Sequence, residues 1–287
     1  MSFPAGPSQS GGPQFSMNAP HTPLLQADAL SVSLSGTPIL DSLSLSFAPG
    51  GVYALCGPNG CGKSTLLRSL AGLIAPSAGE VRLAGEPLAA MPARARAKRL
   101  ALLAQSHTQP PGLSVAELVA CGRFAHGGFN HRLNADDRQA IERALALTGL
   151  AELAGRELST LSGGQRQRAW LAMALAQGGE VLLLDEPTTY LDVHHQLEML
   201  STVRGLNREH GLTVVWVLHD LNQAAAFSDE LLLMKAGRLR ARGTPDEIMR
   251  PELLKEVFDV DMWRLPDSHP PVCLPRYRTE AAWQPSA

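Results

Sequence analysis

The stretch Gly57-Pro58-Asn59-Gly60-Cys61-Gly62-Lys63-Ser64-Thr65 restricts what this chain can fold into more than any other. It follows the apolar run VYALC (52–56) and precedes STLLRSLAG (64–72), whose apolar spacing suits a helix ended by Gly72. A strand, a glycine-rich turn and a helix in that order build a loop whose backbone N–H groups converge on phosphate oxygens. The helix N-terminus adds positive potential at the same place. In such a loop Lys63 reaches the β- and γ-phosphates and the Ser64 hydroxyl ligates Mg²⁺. VYALC shows no polar alternation, so it reads as a strand covered on both faces.

Two further motifs bear on the same chemistry. VLLLD (181–185) is an apolar strand that delivers Asp185 to the C-terminal edge of a sheet, where open α/β sheets bind ligands. There Asp185 would hold Mg²⁺, directly or through water, and Glu186 next to it would polarise an attacking water. An Asp-Glu pair alone reads as a solvated loop; the phosphate loop upstream changes that reading. Leu161-Ser162-Gly163-Gly164-Gln165-Arg166-Gln167 opens a helix with two glycines, which costs helix stability. With Ser162 as N-cap it forms a second anion site. One phosphate chain uses two such sites on separate subdomains only if another copy of the chain supplies the second.

The remaining pattern is α/β. ALSVSL (29–34) and PILDSLSLSF (38–47) alternate around Ser35-Gly36-Thr37, as in an antiparallel hairpin. Helical spacing dominates about 106–179, with Ser114/Glu117 as a capping box, Asn134 as a cap and a further helix starting near Ser162. Strand patterns return at EVLLLDEP (180–187) and TVVWVLHD (213–220), separated by helical LDVHHQLEMLSTVRGL (191–206). ELLLMKAGRLRARG (230–243) reads as a hairpin turning at Ala236-Gly237, and Thr244–Glu247 as a capping box with Pro at the first helical position. Strands alternating with crossover helices imply a mostly parallel sheet. Residues 1–22 read as a disordered Pro/Gly/Ser-rich tail, 23–265 as the domain with the helical stretch inserted in it, and 266–287 as an irregular tail.

GPNGCGKST, LSGGQRQR and LLLDEP in this order resemble the ATP-binding cassette family, from about Leu24 to Leu265. The resemblance implies a P-loop NTPase fold: a mostly parallel core sheet, an antiparallel N-terminal β subdomain and an inserted α-helical subdomain. It also implies that Ser162, Gly163, Gly164 and Gln165 of one subunit close over ATP held by its partner. On the same basis Gln105 matches a glutamine that senses Mg²⁺ and the γ-phosphate, His219 a histidine that contacts the γ-phosphate and orients Glu186, and Asp192 an aspartate that communicates across the dimer. One family feature is missing: an aromatic residue that stacks on adenine is expected in SVSLSG, where Leu34 stands instead. Looser discrimination between ATP and GTP follows.

The finer stretches LAQSHTQPPGLSVAELVACGRFAH and TTYLDVHHQLE resemble the ATPase subunits of importers of iron–siderophore complexes, haem and vitamin B12; the TTYLDVHHQLE form most resembles the ferric-siderophore ATPases, with haem and vitamin B12 importers as the alternative. The resemblance implies a homodimer at the cytoplasmic face of the membrane. It would drive separate permease subunits, with the surface around Gln105 to Phe124 gripping the permease and an external substrate-binding protein supplying cargo. The alternatives are a soluble cassette ATPase that transports nothing and a non-catalytic nucleotide-binding regulator.

Composition agrees with this class. Over 287 residues, 25 basic against 27 acidic side chains give a net charge of −2, which is no footprint for non-specific nucleic-acid binding. The four cysteines show no C-x-x-C pair and read as free thiols. His194-His195 reads as surface histidines, because adjacent helical residues point to different faces. The basic run ARARAKR (93–99) reads as a solvated face or interface rim, and Trp170 and Trp216 as core.

Overall fold

The computed structural model describes residues 23–105, 111–127 and 132–276. In chain order the first elements are strands β1 (Leu25–Leu34), β2 (Thr37–Phe47) and β3 (Val52–Cys56), helix α1 (Lys63–Leu70), and strands β4 (Ala78–Leu83) and β5 (Glu86–Pro87). Helix α2 (Ala93–Ala97) and strand β6 (Leu100–Leu103) lead into helices α3 (Val115–Cys121), α4 (Phe124–Gly127), α5 (Ala135–Leu147) and α6 (Gly163–Ala176). Then come β7 (Val181–Asp185), α7 (Val193–His210), β8 (Thr213–Val217), α8 (Leu221–Phe227), β9 (Glu230–Lys235) and β10 (Arg238–Gly243). Helices α9 (Pro245–Ile248) and α10 (Pro251–Phe258) and strands β11 (Met262–Arg264) and β12 (Cys273–Pro275) close the described chain.

The central sheet runs β10-β9-β3-β8-β7-β6. Its pairs are parallel except β9–β10, an antiparallel hairpin at one edge. Every residue of β3, β7 and β8 is buried, as their unbroken apolar runs require of strands covered on both faces. Parallel pairing has a direct consequence for chemistry: the loops after β3, β8, β7 and β6 all leave the same edge of the sheet.

A second, antiparallel sheet in the order β2-β1-β4-β5 holds the N-terminal region, as the alternation of its strands predicts. One face of the central sheet packs on α1 and this second sheet, through Leu55, Leu66, Phe47 and Leu83 among others. The opposite face packs on α6, α7, α8 and α10, through Trp216, Leu171, Leu200 and Leu254. Trp216 is fully buried and its indole N–H donates to Ser228 Oγ at 2.9 Å, while Trp170 is partly buried against the core.

The inserted helices have their own apolar cluster, including Val115, Leu118, Ile141, Leu145, Leu158 and Leu161. Each of the three main helices starts on the capping box that its sequence encodes: Ser114/Glu117, Asn134/Asp137 and Ser162/Gln165. Asp137 does more than cap. It is buried and pairs through Oδ1 with Arg123 Nε at 2.8 Å, while Arg123 Nη1 donates to the Ala176 carbonyl at 2.8 Å. The basic run works structurally: Arg94 donates to the carbonyls of Ala125 and His126, tying α2 to α4.

The chain after Leu265, expected to be irregular, runs through turns to the short strand β12. Strand β12 pairs antiparallel with β11, with Arg264 opposite Cys273. Asn222 exchanges two hydrogen bonds with the Cys273 backbone, at 2.9 and 3.1 Å, so this hairpin is fastened to α8. The strand is three residues long, ends in Pro275 and follows Pro270 and Pro271, so no periodicity records it. Residues 1–22 and 277–287, expected to be tails, lie outside the described residues, as does the 106–110 part of the surface expected to grip a permease. No described helix is long and apolar enough to cross a membrane.

Candidate active site

Between β3 and α1 the chain passes through Gly57–Gly62 in a tight turn, and the Lys63 side chain folds back into it. Its buried ammonium donates to the carbonyls of Gly57 at 2.8 Å and Pro58 at 3.0 Å, which engages two of its three N–H groups. Gly57 sits at φ +155°, and a Cβ there would collide with the Met234 carbonyl and lie 2.9 Å from Cys61 Sγ. Only glycine fits between β9 and the loop. Burial pushes the Cys56 thiol up to about 12 and raises Cys61 as well, so neither is a thiolate nucleophile near neutral pH.

Two strands away, β7 ends in Asp185. This carboxylate is buried, and its Oδ1 accepts from Ser64 Oγ at 2.8 Å. Its Oδ2 is buried with no hydrogen-bond partner among the described residues. Burial raises its pKa, with the Ser64 bond opposing the rise. An orphaned buried carboxylate oxygen beside a serine hydroxyl is a hard, all-oxygen donor set. It fits Mg²⁺, which takes one or two protein oxygens and draws its other ligands from phosphate and water.

Glu186 follows in the left-handed region at φ +53°, a conformation that costs a non-glycine residue energy and recurs at functional sites. The turn swings its carboxylate off the strand axis into a three-point cradle. Oε2 accepts from Gln105 Nε2 at 2.5 Å and Thr189 Oγ1 at 3.1 Å, and Oε1 lies 2.8 Å from His219 Nε2. Gln105 comes from just beyond β6 and His219 from just beyond β8, the strands on either side of β7. Parallel register therefore brings residues more than 30 positions apart onto one carboxylate. Asn59, Gly60, Gly62, Lys63, Ser64, Thr65, Gln105, Glu186 and His219 surround one open cavity of about 480 Å³. A second cavity, of about 500 Å³, lies where α5 meets the core, beside Arg143 and His210, and shares no residue with it.

Ser162, Gly163, Gly164 and Gln165 do not line the phosphate-loop cavity. They stand at the head of α6, with Ser162 and Gly163 exposed. Asp192 caps α7, accepting from the His195 backbone N–H at 2.9 Å and from ring Nδ1 at 2.8 Å; these bonds hold its carboxyl below the usual range.

Comparison with known proteins agrees with this arrangement. The family described as ABC transporter matches residues 40–189. The iron(3+)-hydroxamate import ATP-binding protein FhuC of Bacillus subtilis is 46% identical over 252 residues, covering 87% of this chain and 94% of that protein. The ferric enterobactin transport ATP-binding protein FepC of Escherichia coli is 41% identical over 257 residues, covering 89% and 95%. The chain belongs to the ABC transporter ATP-binding family.

As a member of that family it is an ATPase with the cassette fold. An inward-facing metal-chelate type ABC transporter superposes with a TM-score of 0.79 at 29% identity, over 90% of this chain and all but 1% of the other (99%). The dimeric post-hydrolysis cassette MJ0796, bound to ADP and Pi, superposes at 0.67 and 26%, over 77% and 98%. The expected sheet, antiparallel subdomain and inserted helices are all present.

Three contacts of this ABC protein escaped the sequence. Thr189 joins the cradle around Glu186, although only its position three residues on hints at it. Ile39, and not Leu34, is the aliphatic side chain that lines the phosphate-loop cavity, while Leu34 is 42% exposed at the end of β1. His195, expected to be an ordinary surface histidine, is half-buried and packs on Gly164.

Proposed function

We propose that this chain is the ATP-hydrolysing subunit of an importer of iron(III)–siderophore complexes. It acts as a homodimer at the cytoplasmic face of the membrane, drives separate permease subunits, and depends indirectly on an external substrate-binding protein. One observation carries the catalytic half: the Glu186 carboxylate, steered by a left-handed backbone, is suspended by Gln105, Thr189 and His219 at the mouth of the phosphate loop. A carboxylate fixed there accepts a proton from water attacking a phosphoryl group held by the loop. The iron(3+)-hydroxamate import named for FhuC and the ferric enterobactin transport named for FepC support the cargo.

In this reading Gly57, Pro58, Asn59, Gly60, Cys61, Gly62, Lys63, Ser64 and Thr65 cradle the phosphates. Lys63 also stabilises negative charge as it develops on the transferring group. Ser64 and Asp185 would hold Mg²⁺, with Gln105 placed to sense the metal and the γ-phosphate. Mg²⁺ bound there would supply positive charge against the phosphates. His219 keeps the Glu186 carboxylate aimed and contacts the γ-phosphate. The partner copy supplies Ser162, Gly163, Gly164 and Gln165, which is why these residues lie away from their own chain's phosphate loop.

Uptake of ⁵⁵Fe-loaded hydroxamate and catecholate siderophores by cells carrying the chain or its Lys63→Ala variant tests the proposal. Uptake that needs the chain and disappears with Lys63→Ala supports it. Unchanged iron uptake, with labelled haem or vitamin B12 entering instead, overturns the cargo.

A further inference from the structure

The two glycines at the head of α6 have different surroundings. A Cβ built on Gly163 meets nothing within 4 Å, whereas one built on Gly164 would lie 2.5 Å from Cδ2 of the His195 ring and 3.0 Å from its Cγ. Real Cβ atoms do not come that close, so any side chain at Gly164 must displace the ring or the helix head. A hydrogen bond tethers the ring in that place. Its Nδ1 is bonded to Asp192 Oδ1 at 2.8 Å, and the same oxygen accepts the His195 backbone N–H. Because the acceptor is a carboxylate, Nδ1 carries the proton.

One helical turn further along, the pattern repeats: Glu198 of α7 pairs with Arg168 of α6. Positions 164 and 168, and 195 and 198, lie on facing stripes of the two helices. Thus α6 and α7 are held together at two successive levels, and the level nearer the loops is the histidine ring wedged between Gly164 and Asp192.

We propose that His195 is a positioning residue that locks the Ser162–Gly164 segment to the Asp192 loop, so that both present themselves to the partner copy's nucleotide as one rigid unit. This rests on the reading of the chain as a dimeric ATPase. His195 does not touch the phosphate-loop cavity of its own chain. Its contribution is to the rate at which a closed dimer turns over, and not to the capture of ATP. Gly164 is required in part because the ring occupies the space a side chain would need.

Steady-state ATP hydrolysis by the full-length protein, with thermal melts, tests this on wild type, His195→Ala, His195→Asn, Gly164→Ala and the Gly164→Ala/His195→Ala double variant. Loosening the segment is expected to lower kcat about ten- to hundredfold in His195→Ala, the scale of a small misplacement of reacting groups. KM for ATP stays within about threefold, because the phosphate loop that captures ATP is untouched. Asparagine can still donate to Asp192 from near the position of Nδ1, so His195→Asn recovers part of the loss. Gly164→Ala alone falls further than His195→Ala, and the double variant equals His195→Ala because the clash is gone.

The inference is overturned if His195→Ala keeps kcat within about twofold of wild type, if Gly164→Ala costs as much with or without the ring, or if kcat falls only in step with the melting temperature. A wild-type protein that hydrolyses no ATP overturns the functional reading together with this one, whereas a wild type that turns over and ignores His195 overturns this one alone.

Discussion

Replacing Glu186 by glutamine separates folding from chemistry at this site. The side chain of Glu186 is 12% exposed, and both of its oxygens are engaged. On the Oε2 side stand two donors, Gln105 Nε2 and Thr189 Oγ1, so the glutamine carbonyl must face them. Its NH₂ then faces His219 Nε2, which accepts when the ring is neutral and carries its proton on Nδ1. All the contacts survive, and the stability cost stays within the net worth of one hydrogen bond, about 1 kcal/mol. For a chain of this size that shifts the melting temperature by about 2–4 °C.

What disappears is the negative charge that takes the proton from water. Removing a general base costs about 10²- to 10⁴-fold, or about 2.7–5.4 kcal/mol of transition-state stabilisation at 1.36 kcal/mol per decade. Phosphate release from Mg-ATP, followed at saturating nucleotide, measures it directly, with the melt as a control. Gel filtration with ATP should show the variant accumulating as a dimer that retains nucleotide. A rate within about fivefold of wild type refutes the role of Glu186 as base. An ATP-loaded variant that stays monomeric at high concentration refutes the pairing of loops from two copies.

Three other outcomes follow from particular contacts. Asp137→Ala strips the buried Arg123 guanidinium of its carboxylate and should cost about 3–5 kcal/mol, lowering the melting temperature by roughly 10 °C; Arg123→Met/Asp137→Leu should recover most of it in the same melt. Cys56, fully buried with its thiol pushed up to about 12, should remain unmodified by iodoacetamide at pH 8 in the folded protein, and mass spectrometry of its peptide after a short exposure would reveal any labelling. With Ile39 lining the cavity and no aromatic ring at Leu34, the ratio of kcat/KM for ATP to that for GTP should stay below about tenfold, since an aliphatic contact discriminates weakly; a strong preference for ATP in side-by-side kinetics would refute it.

The features legible in the sequence are those that a short window encodes. A glycine-rich turn between a strand and a helix, an apolar run ending in Asp185, a capping box at Ser114 and N-caps at Asn134 and Ser162 each depend on residues within a few positions of one another. Backbone sterics and nearest-neighbour hydrogen bonds settle such elements before any packing occurs, so local pattern suffices to read them. Gln105 and His219 lie between these cases. Their strand-end positions were visible, but their importance came from resemblance, because nothing in either short stretch says that Glu186 lies within hydrogen-bond reach.

Packing decided the rest. Thr189 on Glu186, Ile39 at the cavity wall, Arg123 on Asp137, the pairing of β12 with β11, and the His195 ring filling the place of a side chain at Gly164 all depend on how elements dock. Most of these pairs are separated by ten or more residues, and no periodicity records them. Glu186 itself shows the division: its identity and strand were plain from LLLDEP, but the left-handed turn that aims its carboxylate exists only because the folded sheet edge holds it there. Such strain persists only where surrounding structure over-determines it.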